Sequence, residues 1–300
     1  MKLSGLYTAL ISPFKDGAVD LEGLKELVLR QINAKVDGLV VLGTTAETPT
    51  LSAEEKELIT KTAIDLGKGK IPIIVGCGSN NTESSKAEAL KMKALGADAL
   101  MLVCPYYSRP SQEGIYQHFL QIANHVRCPI IVYNIPGRTG QVIESKTLMR
   151  LAEIEHIVAI KQATGALDQA MDLIQQKIPL SLLLGDDALA LPFIASGGHG
   201  LISVTSNLMP EELKELVHSA LNNDFINSRK IHNELFPLFR ALFIESNPVP
   251  IKTAMQKASL PAGDPRLPLC KMTRENEKRL YDAIENCVVF QQRGLSFAQV

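Results

Sequence analysis

The sequence has no paired cysteines, no block of like charge and no long apolar run, and each absence removes a class of protein. Its five cysteines, Cys77, Cys104, Cys128, Cys270 and Cys287, are scattered and contain no C-x-x-C. A disulfide framework or a structural zinc site would show paired spacing, so these read as free thiols in a reducing compartment. Lysine and arginine total 31 against 32 aspartates and glutamates, a formal charge of -1. Without a concentrated positive field, neither a nucleic-acid groove nor a polybasic membrane anchor is expected. No stretch approaches the ~18 apolar residues of a membrane helix. The opening MKLSGLYTALISPFKDG offers a lysine and an apolar stretch, but Ser4, Gly5, Thr8, Ser12 and Pro13 interrupt it. No small-x-small cleavage site follows, so the expected location is cytoplasmic.

What remains is an ordinary globular composition, 46% hydrophobic and 21% charged over 300 residues. That length supports a large core without staples, as two domains of ~150 residues or one α/β barrel of ~250. Eight short apolar runs stand at 6–11, 38–42, 71–75, 99–103, 129–133, 157–160, 180–184 and 200–204. They are nearly continuous rather than alternating, as parallel strands covered on both faces require. Helical patterns lie between them, at 20–34, 52–66, 82–95, 111–125, 144–151, 167–175, 188–195 and 210–221. Ser52 and Glu55 form a capping box, and Gly67, Gly96, Gly197 and Gly198 fall where helices end.

Unbroken strand–helix alternation predicts a (β/α)8 TIM barrel over residues 1–221. The competing doubly wound sheet wants G-x-G-x-x-G after the first strand, where Ile11-Ser12-Pro13-Phe14 stands instead. Residues 222–300 form a C-terminal helical region, with helices expected at 225–244, 249–258 and 273–289.

Such barrels carry their active sites at the C-terminal ends of the strands. The residues that follow each run are therefore the candidates: Gly43-Thr44-Thr45-Ala46-Glu47-Thr48, Tyr106 and Tyr107, Tyr133 with Asn134-Ile135-Pro136-Gly137-Arg138, Lys161, Gly185-Asp186-Asp187, Ser203 and Thr205. Lys161 ends a buried strand inside a ring of hydroxyls. One reading is a lysine snorkelling off the strand end. The other is an imine-forming amine, which needs a dry site because desolvation disfavours the ammonium.

Tyr133, Tyr107, Thr44 and Thr45 could relay protons, or the tyrosines could merely pack. The Thr44-Thr45 turn could hold a carboxylate on its backbone N–H groups. Arg138 suits bidentate carboxylate recognition, against the reading of an ordinary surface arginine. The six histidines show no metal-ligand spacing, Asp186-Asp187 reads as a helix cap, and no Gly-x-Ser-x-Gly elbow occurs. Gly197-Gly198-His199-Gly200 precedes the eighth run and so belongs to the opposite end of the barrel.

Together Gly43-Thr44-Thr45-Ala46-Glu47-Thr48-Pro49-Thr50-Leu51, Cys104-Pro105-Tyr106-Tyr107, Tyr133-Asn134-Ile135-Pro136-Gly137-Arg138-Thr139-Gly140, Ile160-Lys161-Gln162-Ala163-Thr164-Gly165, Gly185-Asp186-Asp187 and Asn247-Pro248-Val249-Pro250-Ile251-Lys252 resemble the signatures of the 4-hydroxy-tetrahydrodipicolinate (dihydrodipicolinate) synthase family. The resemblance runs in order along essentially the whole chain. Single motifs are shared with other pyruvate-dependent aldolases, N-acetylneuraminate lyase among them, and the Arg138 context favours the synthase.

The resemblance implies a Schiff base between Lys161 and pyruvate, with no other cofactor and no metal. The derived enamine attacks L-aspartate 4-semialdehyde, beginning the lysine and diaminopimelate branch. Tyr133 would shuttle protons through Thr45 to Tyr107, supplied by a neighbouring subunit of a homotetramer built as a dimer of dimers. Thr44 and Thr45 would bind the pyruvate carboxylate, Arg138 that of the semialdehyde, and Gly185 and Ile202 would line the substrate site.

Two departures stand out. Ala46 replaces a usual glycine, harmless where φ is negative and costly where it is positive. At the family's lysine-inhibition site the corresponding residues are Thr48, Pro49, Ala53, Lys56, Asn80, Ser84 and Tyr106. Ala53 and Lys56 stand where sensitive members often carry histidine, and Ser84 where they carry glutamate, so weak or absent inhibition is expected. The alternatives are another pyruvate-lysine aldolase, with a different acceptor, and a non-catalytic keto-acid-binding barrel.

Overall fold

The computed structural model describes residues 1–287. Eight parallel strands close into a barrel: β1 (Gly5–Ala9), β4 (Gly38–Val41), β5 (Ile73–Cys77), β6 (Ala99–Val103), β7 (Ile130–Asn134), β8 (Ile157–Gln162), β9 (Ser181–Leu184) and β10 (Gly200–Ser203). Between β1 and β4 lies a hairpin of β2 (Phe14–Lys15) and β3 (Ala18–Val19), too short to leave a periodic signature in the sequence. The helices are α1 (Leu21–Asn33), α2 (Ala53–Gly67), α3 (Thr82–Leu95), α4 (Gln112–Val126), α5 (Pro136–Thr139), α6 (Ser145–Leu151), α7 (Asp168–Gln175), α8 (Ala190–Ala195) and α9 (Pro210–Leu221). The C-terminal region adds α10 (Phe225–Ala241), α11 (Val249–Lys257) and α12 (Arg274–Glu285). The last two residues of the helix expected over 273–289 lie outside the described residues.

The continuous apolar runs are explained by two separate cores. Leu6, Leu39, Val75, Leu100, Val132, Ile160 and Leu182 point outward into the layer shared with the helices. Tyr7, Val40, Ile74, Met101, Ile131, Ala159, Leu183 and Ile202 point inward and fill the barrel. Alternation by twos thus assigns the apolar strand residues to one core or the other, and both are buried. At about 25 cal/mol per Å² of apolar surface, burial on both faces is the main force holding the strands.

Local signals mostly match. The Ser52 side chain accepts from the Glu55 amide while the Glu55 carboxylate accepts from the Ser52 amide. Gly96 caps α3 in the left-handed region, at φ 104°. Gly67 is a correction: it is the last residue of α2 and not a left-handed cap. Its missing side chain serves packing, because a Cβ there would meet Ile73 Cδ1 at 2.6 Å. The helix expected at 188–195 opens instead as a 3-10 turn, Asp187–Leu189, before α8.

Candidate active site

The inward alternation of the strands places the chemistry. Counting by twos, Ala159 leads to Lys161 on β8, Ile131 to Tyr133 on β7, and Leu183 to Gly185 just beyond β9. Tyr133 and Lys161 are register partners on adjacent parallel strands. Their side chains therefore meet inside the barrel mouth, with Lys161 Nζ 4.3 Å from the centre of the Tyr133 ring. The strand runs one residue past its expected end at Lys161, to Gln162. Lys161 is 5% exposed, and among the described residues no carboxylate lies within ion-pair distance of its amine.

Gly185 packs on the lysine stem: a Cβ there would stand 2.8 Å from Lys161 Cε. Ile202 belongs to the inner core with Tyr133, Ala159 and Leu183.

Thr44 and Thr45 lie in a 3-10 turn, Thr44–Ala46, immediately after β4. Ala46 is buried in that turn and absent from the left-handed region, so alanine brings no backbone strain. The left-handed residue is Glu47, at φ 53°. It is held there by its buried carboxylate, which accepts from Lys252 Nζ at 2.7 Å and from the Arg266 amide at 2.9 Å.

Thr45 Oγ1 accepts from Asn247 Nδ2 at 3.0 Å, and Arg138 Nη2, from α5, donates to the Asn247 carbonyl at 2.9 Å. The pyruvate-side and acceptor-side candidates thus share one residue of the C-terminal region. Asn247 and Lys252 carry no site role in the sequence reading. Their signal was a polar pair inside an otherwise apolar stretch, Val249, Pro250 and Ile251, which is buried on α11.

Lys252 is the second buried lysine and differs in kind. It is 0% exposed, donates to Glu47 and to the Asp264 carbonyl, and lies over the Phe14 ring. Burial pushes its ammonium below the usual lysine range, while Glu47 pulls it back up. No ketone can reach an amine so enclosed.

Tyr107 stands apart from the buried group. It is 90% exposed, its backbone is left-handed at φ 70°, and among the described residues nothing hydrogen-bonds its hydroxyl. Asp186 caps the 3-10 turn by accepting from the Ala188 amide. Asp187 does not cap; its Oδ2 accepts from the Val204 and Thr205 amides and from Thr205 Oγ1, and burial raises its pKa. Thr205 therefore ties two strand ends together. Ser203, the last residue of β10, accepts from the Ser206 amide and also bonds the Asp187 carboxylate. His199 lies before β10 at the far end of the barrel, where its carbonyl accepts from the Gly5 amide. Among the described residues no group of three or more His, Cys, Asp or Glu side chains could hold a metal ion. Among the same residues, no helix is long and apolar enough to cross a membrane.

A closed parallel barrel with a buried amine, a phenol and a threonine turn at the C-terminal ends of its strands has the architecture of the (β/α)8-barrel lyases. The chain belongs to the dihydrodipicolinate synthetase family, whose model matches residues 2–287. It is 49% identical over 285 residues to the 4-hydroxy-tetrahydrodipicolinate synthase of Protochlamydia amoebophila, covering 93% of this chain and 95% of that one. Identity to the enzyme of the same name from Methanocaldococcus jannaschii is 43% over 283 residues, covering 94% and 98%. The crystal structure of dihydrodipicolinate synthase from Aquifex aeolicus superposes with a TM-score of 0.93 at 41% identity, covering 99% of this chain and 100% of that one.

Proposed function

We propose that this chain joins pyruvate to L-aspartate 4-semialdehyde through an imine on Lys161, giving 4-hydroxy-tetrahydrodipicolinate for lysine and diaminopimelate biosynthesis. The observation that carries the reading is a buried lysine, with no carboxylate partner among the described residues, beside a phenol at the barrel mouth. Among the described residues no carboxylate pairs with this amine as Glu47 does with Lys252.

Lys161 Nζ adds to the ketone carbon of pyruvate, and Tyr133 protonates the hydroxyl that leaves as water. Loss of a methyl proton from the imine gives the enamine, whose carbon adds to the semialdehyde carbon, and the new alkoxide takes a proton. The product's own amine then displaces Lys161 and closes the ring. One water is released overall, and the imine takes the place of a cofactor.

The Thr44–Ala46 turn holds the pyruvate carboxylate through hydroxyls and backbone N–H groups, and Arg138 holds that of the semialdehyde. Gly185 gives the lysine stem its room, and Ile202 closes the inner side. Tyr107 completes the proton relay through Thr45 in a neighbouring subunit of a homotetramer. Its exposure supports this, as does a left-handed backbone that costs about 1–3 kcal/mol and that brings its hydroxyl no hydrogen bond among the described residues. The setting is cytoplasmic, without membrane or nucleic-acid partners.

The test is a coupled assay with both substrates, run alongside a size measurement and Tyr107→Phe. Turnover that requires pyruvate and the semialdehyde together, in a tetramer that loses rate on removal of the phenol, is the expected result. Turnover of pyruvate with another aldehyde but not with the semialdehyde refutes the acceptor.

A further inference from the structure

We propose that Asn247 is a positioning residue that directs the Thr45 hydroxyl and couples it to Arg138, a role that rests on the reaction proposed above. The residue lies between α10 and α11, about two hundred positions from the turn it serves, and is buried. A side-chain NH2 only donates, so at 3.0 Å from Nδ2 the Thr45 oxygen is the acceptor. A hydroxyl has one proton. With Asn247 occupying a lone pair, that proton is turned elsewhere, available to a substrate carboxylate or to a phenolate in the relay.

The same residue's backbone carbonyl takes one N–H of Arg138, leaving the rest of the guanidinium fork for a second carboxylate. Two groups from opposite sides of the mouth are thus set against one fixed point. Five residues further on, the Lys252–Glu47 pair ties α11 to the same turn, so the frame carrying Asn247 cannot drift from Thr45.

The second observation is a buried polar atom. Among the described residues nothing hydrogen-bonds Asn247 Oδ1. An orphaned acceptor opposes folding, and a purely structural position would do better with an apolar side chain of similar size. Keeping the amide at that cost points to its donor end, the one on Thr45.

The experiment uses the full chain carrying Asn247→Ala, Asn247→Asp, Thr45→Val and the double variant Asn247→Ala/Thr45→Val. Borohydride trapping of pyruvate, kcat, both KM values and the thermal midpoint are measured. Asn247→Ala is expected to lower kcat about ten- to a hundred-fold, the range seen when a catalytic group is misplaced by an ångström, with an unchanged or higher midpoint. Asn247→Asp should fare no better, since a carboxylate cannot donate. The double variant should fall within about twofold of Thr45→Val alone, because effects routed through one group do not add. Losses that multiply in the double variant overturn the proposal, as does wild-type kcat in Asn247→Asp. If alanine prevents folding, Asn247→Ser, which shortens the donor's reach, must show the same non-additivity. A wild-type chain that traps no pyruvate overturns the reaction itself and the proposal with it, and is distinguished by needing no variant.

Discussion

Gly185→Ala tests whether the lysine stem is placed by the space that glycine leaves. The added Cβ would lie 2.8 Å from Lys161 Cε and 3.1 Å from Ala163 Cβ. Unbonded carbons settle at about 3.5–4.0 Å, so the lysine carbon must retreat by about 0.7–1.2 Å. The backbone cannot absorb this, because the Gly185 amide is held 2.7 Å from the Gln162 carbonyl. Nor is the conformation itself strained by alanine, since Gly185 lies outside the left-handed region. The flexible stem therefore moves, taking Nζ with it. Misplacing a nucleophile by about 1 Å lowers its rate about a hundred-fold, or about 2.7 kcal/mol of barrier. The assay is the rate of borohydride trapping with saturating pyruvate, with the melting temperature as a control on folding. Trapping at the wild-type rate in a folded Gly185→Ala chain would mean that the amine's position is set elsewhere.

Arg138→Ala should weaken use of the semialdehyde about ten- to a hundred-fold, matching the ~1.5–3 kcal/mol of a charge-assisted contact, while pyruvate trapping stays near normal; equal loss on both substrates contradicts the assignment. Lysine should inhibit weakly or not at all. Lys56 holds a cation in that region at 3.3 Å from Glu88, whose other oxygen already accepts from the Gly78 amide, so strong inhibition at low lysine concentration in the coupled assay goes against this. Burial lowers the His118 pKa from 6.5 to about 4. The unfolded chain therefore binds a proton the native one refuses, and stability present above pH ~6.5 is lost as pH falls toward 4, by about 3 kcal/mol in all. His118→Gln should flatten the denaturant midpoint against pH across that window; an unchanged slope removes His118 as its source.

Much of the fold was legible because a parallel strand buried on both faces writes a continuous apolar run. The same feature hid which residues face inward, since both faces are apolar. Only the polar residues at the mouth, Thr45, Tyr133 and Lys161, broke the ambiguity, and they lie where a strand-end reading expects them. The run at 157–160 stops one residue short of Lys161 for the same reason: a polar residue ends an apolar pattern even where the strand continues. Gly67 looked like a cap because the helix ends there, although what it supplies is room for Ile73. Asn247 and Lys252 escaped assignment because their partners, Thr45 and Glu47, are 202 and 205 residues away, and no local periodicity records such a contact. Tyr107 could be placed at the mouth by sequence, but not in its own chain's buried cluster, where the structure does not put it.

The proposed reaction puts pyruvate on Lys161 and not on the more deeply buried Lys252. Treating the chain with pyruvate and borohydride, then mapping peptides by mass, tests it directly. The expected result is one reduced adduct, on Lys161, with loss of activity, and no adduct in Lys161→Arg, whose guanidinium stays protonated. An adduct on Lys252, or none in the wild-type chain, would contradict it.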